Sequence, residues 1–536
     1  MKLKKYIHLL LALPMAFCGV ACDDYLDEMP DNRAEVDSEE KVSRLLVSAY
    51  PENGYILCAE FASDNVDNYG DANPYGDRFL EQLYKWHDVT ESSNESPKRV
   101  WEACYMAITN ANQALQAIND MGNPSSLSAA RGEALLCRAY NHFLLVNMFC
   151  QHYSPVHSET DLGIPYMEAP ETELNPQYER GNVAHVYELI EKDLEEGLPL
   201  IDDAAYSVPK YHFNKKAAYT FASRFYLFYQ KWDKVIECAT EALGSVPAEN
   251  LRDYATLASL PRNLTTVGTE YTSTSMKCNF LVQTAYSQLG PIFGPYYTGS
   301  RYNHGNLLAQ TETYNQAPWG SYAVSSSSYT YGNMYTLKPY VYAGTNLDKT
   351  LIPRLPYLFE YTDPVAQIGY SRTLYVALSA EEALLNRAEA YIMKENYTEA
   401  LADMNLWTTN TLNPRYCNPT LTSASIQAWA ANFEYYTSEA PTPKKKLNPD
   451  FMEIVEGSEQ ESFIHCLLFM RRNEFIHEGM RWFDIKRYGI EISRRLVSGI
   501  DVISVDDVLK VRDNRRAMQL PDDVITAGIT PNPRDN

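Results

Sequence analysis

The sequence lacks the short motifs that mark common enzyme and metal sites. It contains no CxxC pair, HExxH, GxSxG or P-loop, and its ten histidines show no metal-ligand spacing. Positive charge is scarce: the chain has 46 Lys and Arg residues against 69 Asp and Glu residues, which gives a net charge of −23. Nucleic-acid binders neutralise phosphates with clustered Lys and Arg. We therefore predict no nucleic-acid partner and no cofactor, and a structural calcium ion stays open.

Long hydrophobic runs are also missing after residue 22, so no later segment is expected to cross a bilayer, which takes about 20 apolar residues. The N-terminus instead has three early lysines, an apolar stretch over Leu9–Phe17, and small residues before Cys22. This order is typical of a signal peptide over residues 1–21. A Cys after small residues resembles the bacterial lipobox, in which Cys22 would be acylated (palmitate and related chains) and anchor the protein to a membrane.

Amphipathic helices dominate the rest of the chain, which at 45% hydrophobic and 21% charged residues can build a core. In residues 38–50, Val42, Leu45, Leu46 and Ala49 share one face. The same rhythm predicts helices over 97–119, 127–149, 184–200, 215–229, 232–243, 380–394 and 397–407. The helix pairs at 215–243 and 380–407 resemble tetratricopeptide repeats (TPR), with aromatic and small residues at the repeat's offsets.

Two stretches break the helical pattern. Residues 291–345 hold ten of the chain's 41 tyrosines, interleaved with Pro, Gly, Ser and Asn, which favours loops and short strands over helix. Residues 408–462 are also loop-rich, and the run 444–446 of three lysines is expected to lie on a solvated loop. Cys104, Cys137 and Cys238 fall on apolar helix faces, so buried thiols are expected there.

Several ordered landmarks resemble the SusD/RagB-like family of surface lipoproteins, and they cover nearly the whole chain. The most specific are Arg471–Phe475 and Glu478–Tyr488, which match the family's C-terminal signature. The others are Cys22–Asp27, Ser63–Val66, Trp101–Asn112, Arg131–Tyr140, Gly163–Tyr166, Ala217–Trp232 and residues 515–536. We expect five charged residues of the signature to form charge-assisted pairs that fasten the last helices: Arg472, Glu474, Glu478, Arg481 and Asp484.

The resemblance implies a mostly α fold, with TPR-like helix pairs forming a right-handed superhelical scaffold and long loop-rich insertions carrying short β-strands. It divides the chain into a signal peptide (1–21), a lipidated tether (22–37), an N-terminal helical region (38–249), an aromatic-rich insertion forming the binding face (250–378) and a C-terminal region (379–536). It also implies an outer-membrane, lipid-anchored protein that faces the cell surface. Such a protein would pass oligo- or polysaccharide to a SusC-like TonB-dependent transporter, without catalysis.

Aromatic rings and planar polar groups are what a neutral sugar needs from its site, because rings stack on its C–H faces and polar groups bond its hydroxyls. The insertion supplies the first candidates: Trp319, Tyr296, Tyr297, Tyr302, Arg301 and Asn303. Related proteins also use the loop after the first helix, which adds Asp67, Asn68, Tyr69, Asn73, Tyr75 and Arg78. For each aromatic residue, packing inside its own loop is the competing interpretation.

Two alternatives remain. The RagB branch serves oligopeptide uptake, and a tyrosine-rich groove would also suit peptides. A glycoside hydrolase would need two carboxylates about 5–10 Å apart, and although Glu81 and Asp88 lie near each other in sequence, the acids form no distinctive motif. A non-catalytic binding protein is therefore the preferred prediction.

Overall fold

The structure is a computed structural model that describes residues 36–172, 176–295, 299–323, 329–344 and 346–534. The predicted signal peptide, Cys22 and nearly all of the tether lie outside these residues, as do Tyr296 and Tyr297.

The fold is mostly helical, as predicted. The helices of the N-terminal half are α1 (Glu39–Val47), α2 (Ile56–Ala62), α3 (Arg78–Tyr84), α4 (Pro97–Asp120), α5 (Ser128–Phe149), α6 (Val183–Gly197), α7 (Lys215–Phe228) and α8 (Trp232–Leu243). The insertion contributes the short helices α9 (Tyr254–Ser259), α10 (Leu264–Tyr271), α11 (Leu289–Phe293) and α12 (Asn306–Thr311). The C-terminal part contributes α13 (Ala380–Met393), α14 (Tyr397–Thr411), α15 (Ser423–Ala431), α16 (Glu459–Glu474), α17 (Met480–Arg487) and α18 (Asp522–Thr526).

Local sequence explains where the long helices begin. Ser38 caps α1 by accepting from the Lys41 backbone N–H, and Ser96 caps α4, which starts with Pro97. The predicted pairs form hairpins, α7 with α8 and α13 with α14, and α8 also packs on α13. One large core of buried residues runs through these helices.

The strands are short and gather distant parts of the chain. They are β1 (Asp67–Asn68), β2 (Asn279–Tyr286), β3 (Tyr302–Asn303), β4 (Tyr340–Gly344), β5 (Leu347–Leu351), β6 (Leu358–Asp363), β7 (Ile368–Ser379), β8 (Ile492–Ser498) and β9 (Asp501–Leu509). One sheet has the order β3-β1-β8-β9, a second has the order β2-β7-β6, and β4 pairs with β5. The first sheet therefore joins the first loop, the insertion and the C-terminal region.

A buried network of charges fastens the last helices to the scaffold. Arg471 contacts Asp484 at 3.0 Å, and Arg487 contacts Asp484 at 2.8 Å and Glu389 at 2.7 Å. All four side chains are buried. The charge-assisted pairing expected of Asp484 is thus confirmed, and the network ties α16 and α17 to α13.

A second network, the Asp64 cluster, consists of Asp64, Glu312, Arg472, Arg481 and Lys445. Asp64 lies 2.8 Å from Arg481 and 2.7 Å from Lys445, and Glu312 lies 3.1 Å from Arg472 and 2.9 Å from Lys445. The solvated loop expected at residues 444–446 is therefore wrong for Lys445, which is 5% exposed. The carboxylates of Asp64 and Glu312 compensate the burial of the Lys445 ammonium group. A run of three lysines in the sequence does not reveal this pairing.

The cysteines of the described residues are all free thiols. Cys104, Cys137 and Cys238 are buried, as their places on apolar helix faces predicted.

Candidate functional site

The first loop and the insertion, the two segments that supply most of the predicted ligand contacts, meet in the fold. β1 pairs with β3 in antiparallel register, with Asp67 opposite Asn303 and Asn68 opposite Tyr302. Further along, the Tyr75 backbone N–H donates to Gly299 at 2.8 Å, and the Arg301 N–H donates to Tyr75 at 2.7 Å. The structure thus brings together two segments that lie more than 200 residues apart in sequence.

Most of the predicted side chains at this junction point into the fold. Those buried at 5% exposure or less are Asp67, Asn68, Tyr69, Asn73, Tyr302 and Asn303. Asp67 pairs with Arg495 at 2.7 Å, and the Tyr302 ring packs on Tyr84 at 4.7 Å between centroids. These six residues hold the two segments together and offer almost no surface to a ligand in this structure.

The exposed members of the predicted set form a small platform. Tyr75 is 63% exposed, and a Cβ at Gly299 would lie 3.0 Å from its ring, so the ring lies close against this glycine. Arg78 is also exposed. Arg301 is partly exposed and donates to Asn68 at 3.1 Å. The platform therefore presents one aromatic face and two guanidinium groups.

Arg78 of the platform also lines a cavity of about 530 Å³, here called the aromatic groove. Its lining includes Asp77, Arg78, Glu95, Gln288, Phe359 and Tyr370. A groove of this size is in the range of small-ligand sites. It combines aromatic ring faces with acidic, basic and amide side chains that can form hydrogen bonds.

The far wall of the groove is the β6–β7 hairpin, which the sequence interpretation missed. Phe359 is 37% exposed and lies over Gly369, where a Cβ would approach the ring to 2.9 Å. Tyr361 is 49% exposed and meets Phe359 edge-on at 4.9 Å. The alternation of Phe359 and Tyr361 was the available signal, because residues two apart share one face of a strand.

Trp319, the leading sequence candidate, lies apart from this surface. It is 4% exposed and packs against Trp407 at 5.6 Å and Phe469 at 5.5 Å between ring centroids. Its burial favours a packing role, and its predicted ligand contact stays untested.

Glu95 is a buried carboxyl group in the lining of the groove. It is 4% exposed and accepts hydrogen bonds from the Ser287 hydroxyl at 2.5 Å and the Gln288 backbone N–H at 2.8 Å. Burial raises the pKa of Glu95 to about 7, although these two hydrogen bonds oppose the shift. The native groove therefore holds a proton on Glu95 under mildly acidic conditions.

We expect Glu95 to make stability depend on pH. The native state binds its proton more tightly than the unfolded chain, so the contribution is present below about pH 4.3 and lost as pH rises through about 7. Between pH 5 and pH 8, the unfolding free energy of wild type should fall relative to Glu95→Gln by roughly 2 kcal/mol. Urea unfolding of both proteins at the two pH values measures this, and parallel pH profiles would contradict it.

Across the part of the chain that the structure describes, no group of three or more His, Cys, Asp or Glu side chains is arranged to hold a metal ion. Within the same ranges, none of the helices combines the length and apolar character that crossing a bilayer requires.

Comparisons with known proteins agree with this architecture. Residues 24–227 match the family described as "Starch-binding associating with outer membrane", and residues 297–520 match the "SusD family". Among curated proteins, none matches the chain significantly.

Solved structures share the fold along almost the full chain. A SusD superfamily protein from Bacteroides thetaiotaomicron VPI-5482 is 17% identical with a TM-score of 0.61, over 92% of this chain and 99% of that one. One from Bacteroides fragilis is 16% identical with a TM-score of 0.59, over 91% and 98%. A SusD-like carbohydrate binding protein from Bacteroides vulgatus ATCC 8482 is 14% identical with a TM-score of 0.58, over 91% and 96%.

SusD-family proteins are nutrient-binding proteins associated with the outer membrane. The two family matches leave residues 228–296 between them and together span most of the sequence. The fold shared with the solved structures extends across both matched regions. The chain belongs to the SusD/RagB-like family.

Proposed function

We propose that this protein binds oligo- or polysaccharide in the aromatic groove and on the adjoining platform, without catalysis. It then delivers the glycan to a SusC-like TonB-dependent transporter. A lipid on Cys22 would hold it on the outer membrane, facing the cell surface.

The observation that carries the proposal is the set of exposed rings around one groove. Phe359 and Tyr370 line it at 37% and 49% exposure, and Tyr75, two residues before the lining residue Asp77, is 63% exposed. Soluble proteins rarely leave several large rings together in water without a ligand or partner. Arg78 and Gln288 stand next to these rings, where they can bond the hydroxyls of a stacked sugar.

The test uses the mature chain from Asp23, without lipid. Its retention is measured on immobilised starch, dextran, xylan, mannan, pectin and chondroitin sulfate, with a mixed oligopeptide pool as competitor. Retention by one polysaccharide that peptide does not reduce supports the proposal. Capture of peptide with no retention on any polysaccharide would move the chain to oligopeptide uptake, and release of reducing ends from the retained polysaccharide would contradict the non-catalytic role.

Removing the rings should weaken binding while leaving the fold intact. Each of Tyr75→Ala and Phe359→Ala is expected to lower affinity for the retained polysaccharide by about 2–10-fold, because each deletes one stacking face. Affinity electrophoresis or calorimetry measures the change.

A matched control is Tyr211→Ala. Tyr211 is 49% exposed. The ammonium group of its neighbour Lys210 donates to the carbonyl of Met276, so Tyr211 lies near the segment that precedes β2. The groove lies at the opposite end of β2, where Ser287 follows it. Equal affinities for wild type, Tyr75→Ala and Phe359→Ala would show that the groove is not the site.

A further inference from the structure

A second cavity of about 220 Å³ lies near the aromatic groove. It is bounded by residues 86–92 on one side and by residues 515–522 of the C-terminal segment on the other. A water molecule takes about 30 Å³ of liquid volume, so the space equals roughly seven waters. That is room for one small polar group such as a sugar ring.

The lining of the second cavity balances three acidic residues (Asp88, Glu91 and Asp522) against three basic ones (Lys98, Arg515 and Arg534), which favours a polar ligand without net charge. The rings of Trp86 and Trp482 contribute to it, and the Trp482 indole N–H has no acceptor among the described residues. His87 and Ser92 also line it, and both are exposed. Within the described ranges neither of these two side chains makes a hydrogen bond, so both are available to a ligand.

The two cavities lie along one continuous surface. Helix α3 connects them, because Asp77–Leu80 at its start line the aromatic groove and Leu83 near its end lines the second cavity. A helix of seven residues is about 10 Å long. Glu91 lines both cavities, and the exposed residues that follow it line one each, Ser92 the second cavity and Ser93 and Asn94 the aromatic groove.

We propose that the second cavity is an extended subsite for the same glycan. A chain seated in the aromatic groove crosses residues 91–94 and places a further sugar between His87 and the C-terminal segment. The inference rests on the proposed function, and it adds that the protein selects ligands by length. Oligosaccharides too short to span both cavities occupy the groove alone.

The experiment uses size-graded fragments made by partial hydrolysis of whichever polysaccharide is retained in the panel above. Wild type is compared with the double variant His87→Ala/Ser92→Ala and with His185→Ala, an exposed histidine on α6. We expect the double variant to lose about 3–10-fold in affinity for long fragments, as for one or two hydrogen bonds, and nothing for disaccharides or trisaccharides. His185→Ala should match wild type throughout.

Hydrogen exchange gives a second measurement that needs no substitution. Long fragments should slow amide exchange over residues 86–90, which line the second cavity and not the groove, and short fragments should not. Equal affinity of wild type for short and long fragments, or an equal loss for both in the double variant, would overturn the extended subsite while glycan binding stands. Retention of no polysaccharide would overturn the proposed function and this inference with it.

Discussion

Asp64→Asn is expected to lower the free energy of unfolding by about 3–5 kcal/mol, the cost of removing one partner from a buried ion-pair network. The carboxylate lies within 3.4 Å of Arg472, Arg481 and Lys445, all of them buried. The substitution keeps the shape of the side chain but leaves Arg481 without its carboxylate, while Arg472 and Lys445 keep only Glu312, which also pairs with Arg495. Urea unfolding measures the loss as a lower midpoint at unchanged slope.

An exposed pair provides the control. Asp523 lies 2.8 Å from Lys98, and its side chain is 57% exposed. Asp523→Asn should cost no more than about 1 kcal/mol, because water screens such pairs. If Asp64→Asn cost as little as this control, the Asp64 cluster would contribute no more than a surface ion pair.

The same variant should change the response to acid. Burial alone would raise the pKa of Asp64, but Arg472, Arg481 and Lys445 lower it well below the ordinary value. Its contribution is therefore present above the unfolded pKa of about 3.9 and is lost as pH falls further. Asp64→Asn should lose less stability than wild type between pH 4 and pH 2, as measured by circular dichroism.

The sequence predicts the long helices well because their signals are local. For α4, the apolar spacing predicts a helix over 97–119, and the structure shows one over Pro97–Asp120. The cap at Ser96, the proline at the first position and the apolar spacing all lie within the helix itself. Such features do not depend on the rest of the chain.

The candidate site was less predictable because exposure depends on contacts made far along the chain. Tyr75 and Tyr302 both lie in turn-rich aromatic sequence, yet one is 63% exposed and the other 1%. Tyr302 is buried where β3 pairs with β1, whereas Tyr75 lies outside that pairing and stays exposed. No local sequence feature predicts the pairing. Phe359 is hard to predict for a similar reason, since the β6–β7 hairpin lies after the tyrosine-rich stretch and its exposure depends on the groove that it walls.

Trp319→Ala is expected to destabilise the protein by about 3–5 kcal/mol, as for other buried Trp truncations. The indole is 4% exposed, and its ring packs against Tyr335, Trp407 and Phe469. Truncation leaves a cavity where the insertion rests on α14 and α16, and these helices cannot close it without moving. Tyr75→Ala, which removes a ring that is mostly in water, should stay within about 0.5 kcal/mol of wild type.

Measuring both stability and retention separates packing from ligand contact at Trp319. At a temperature where Trp319→Ala is folded, its retention on the polysaccharide should equal that of wild type, whereas Tyr75→Ala should be retained less. The opposite pattern, an unchanged Tm with lost retention, would make Trp319 a ligand contact. The binding surface would then have to include a region that is closed in this structure, and the insertion would have to open before a glycan could reach that ring.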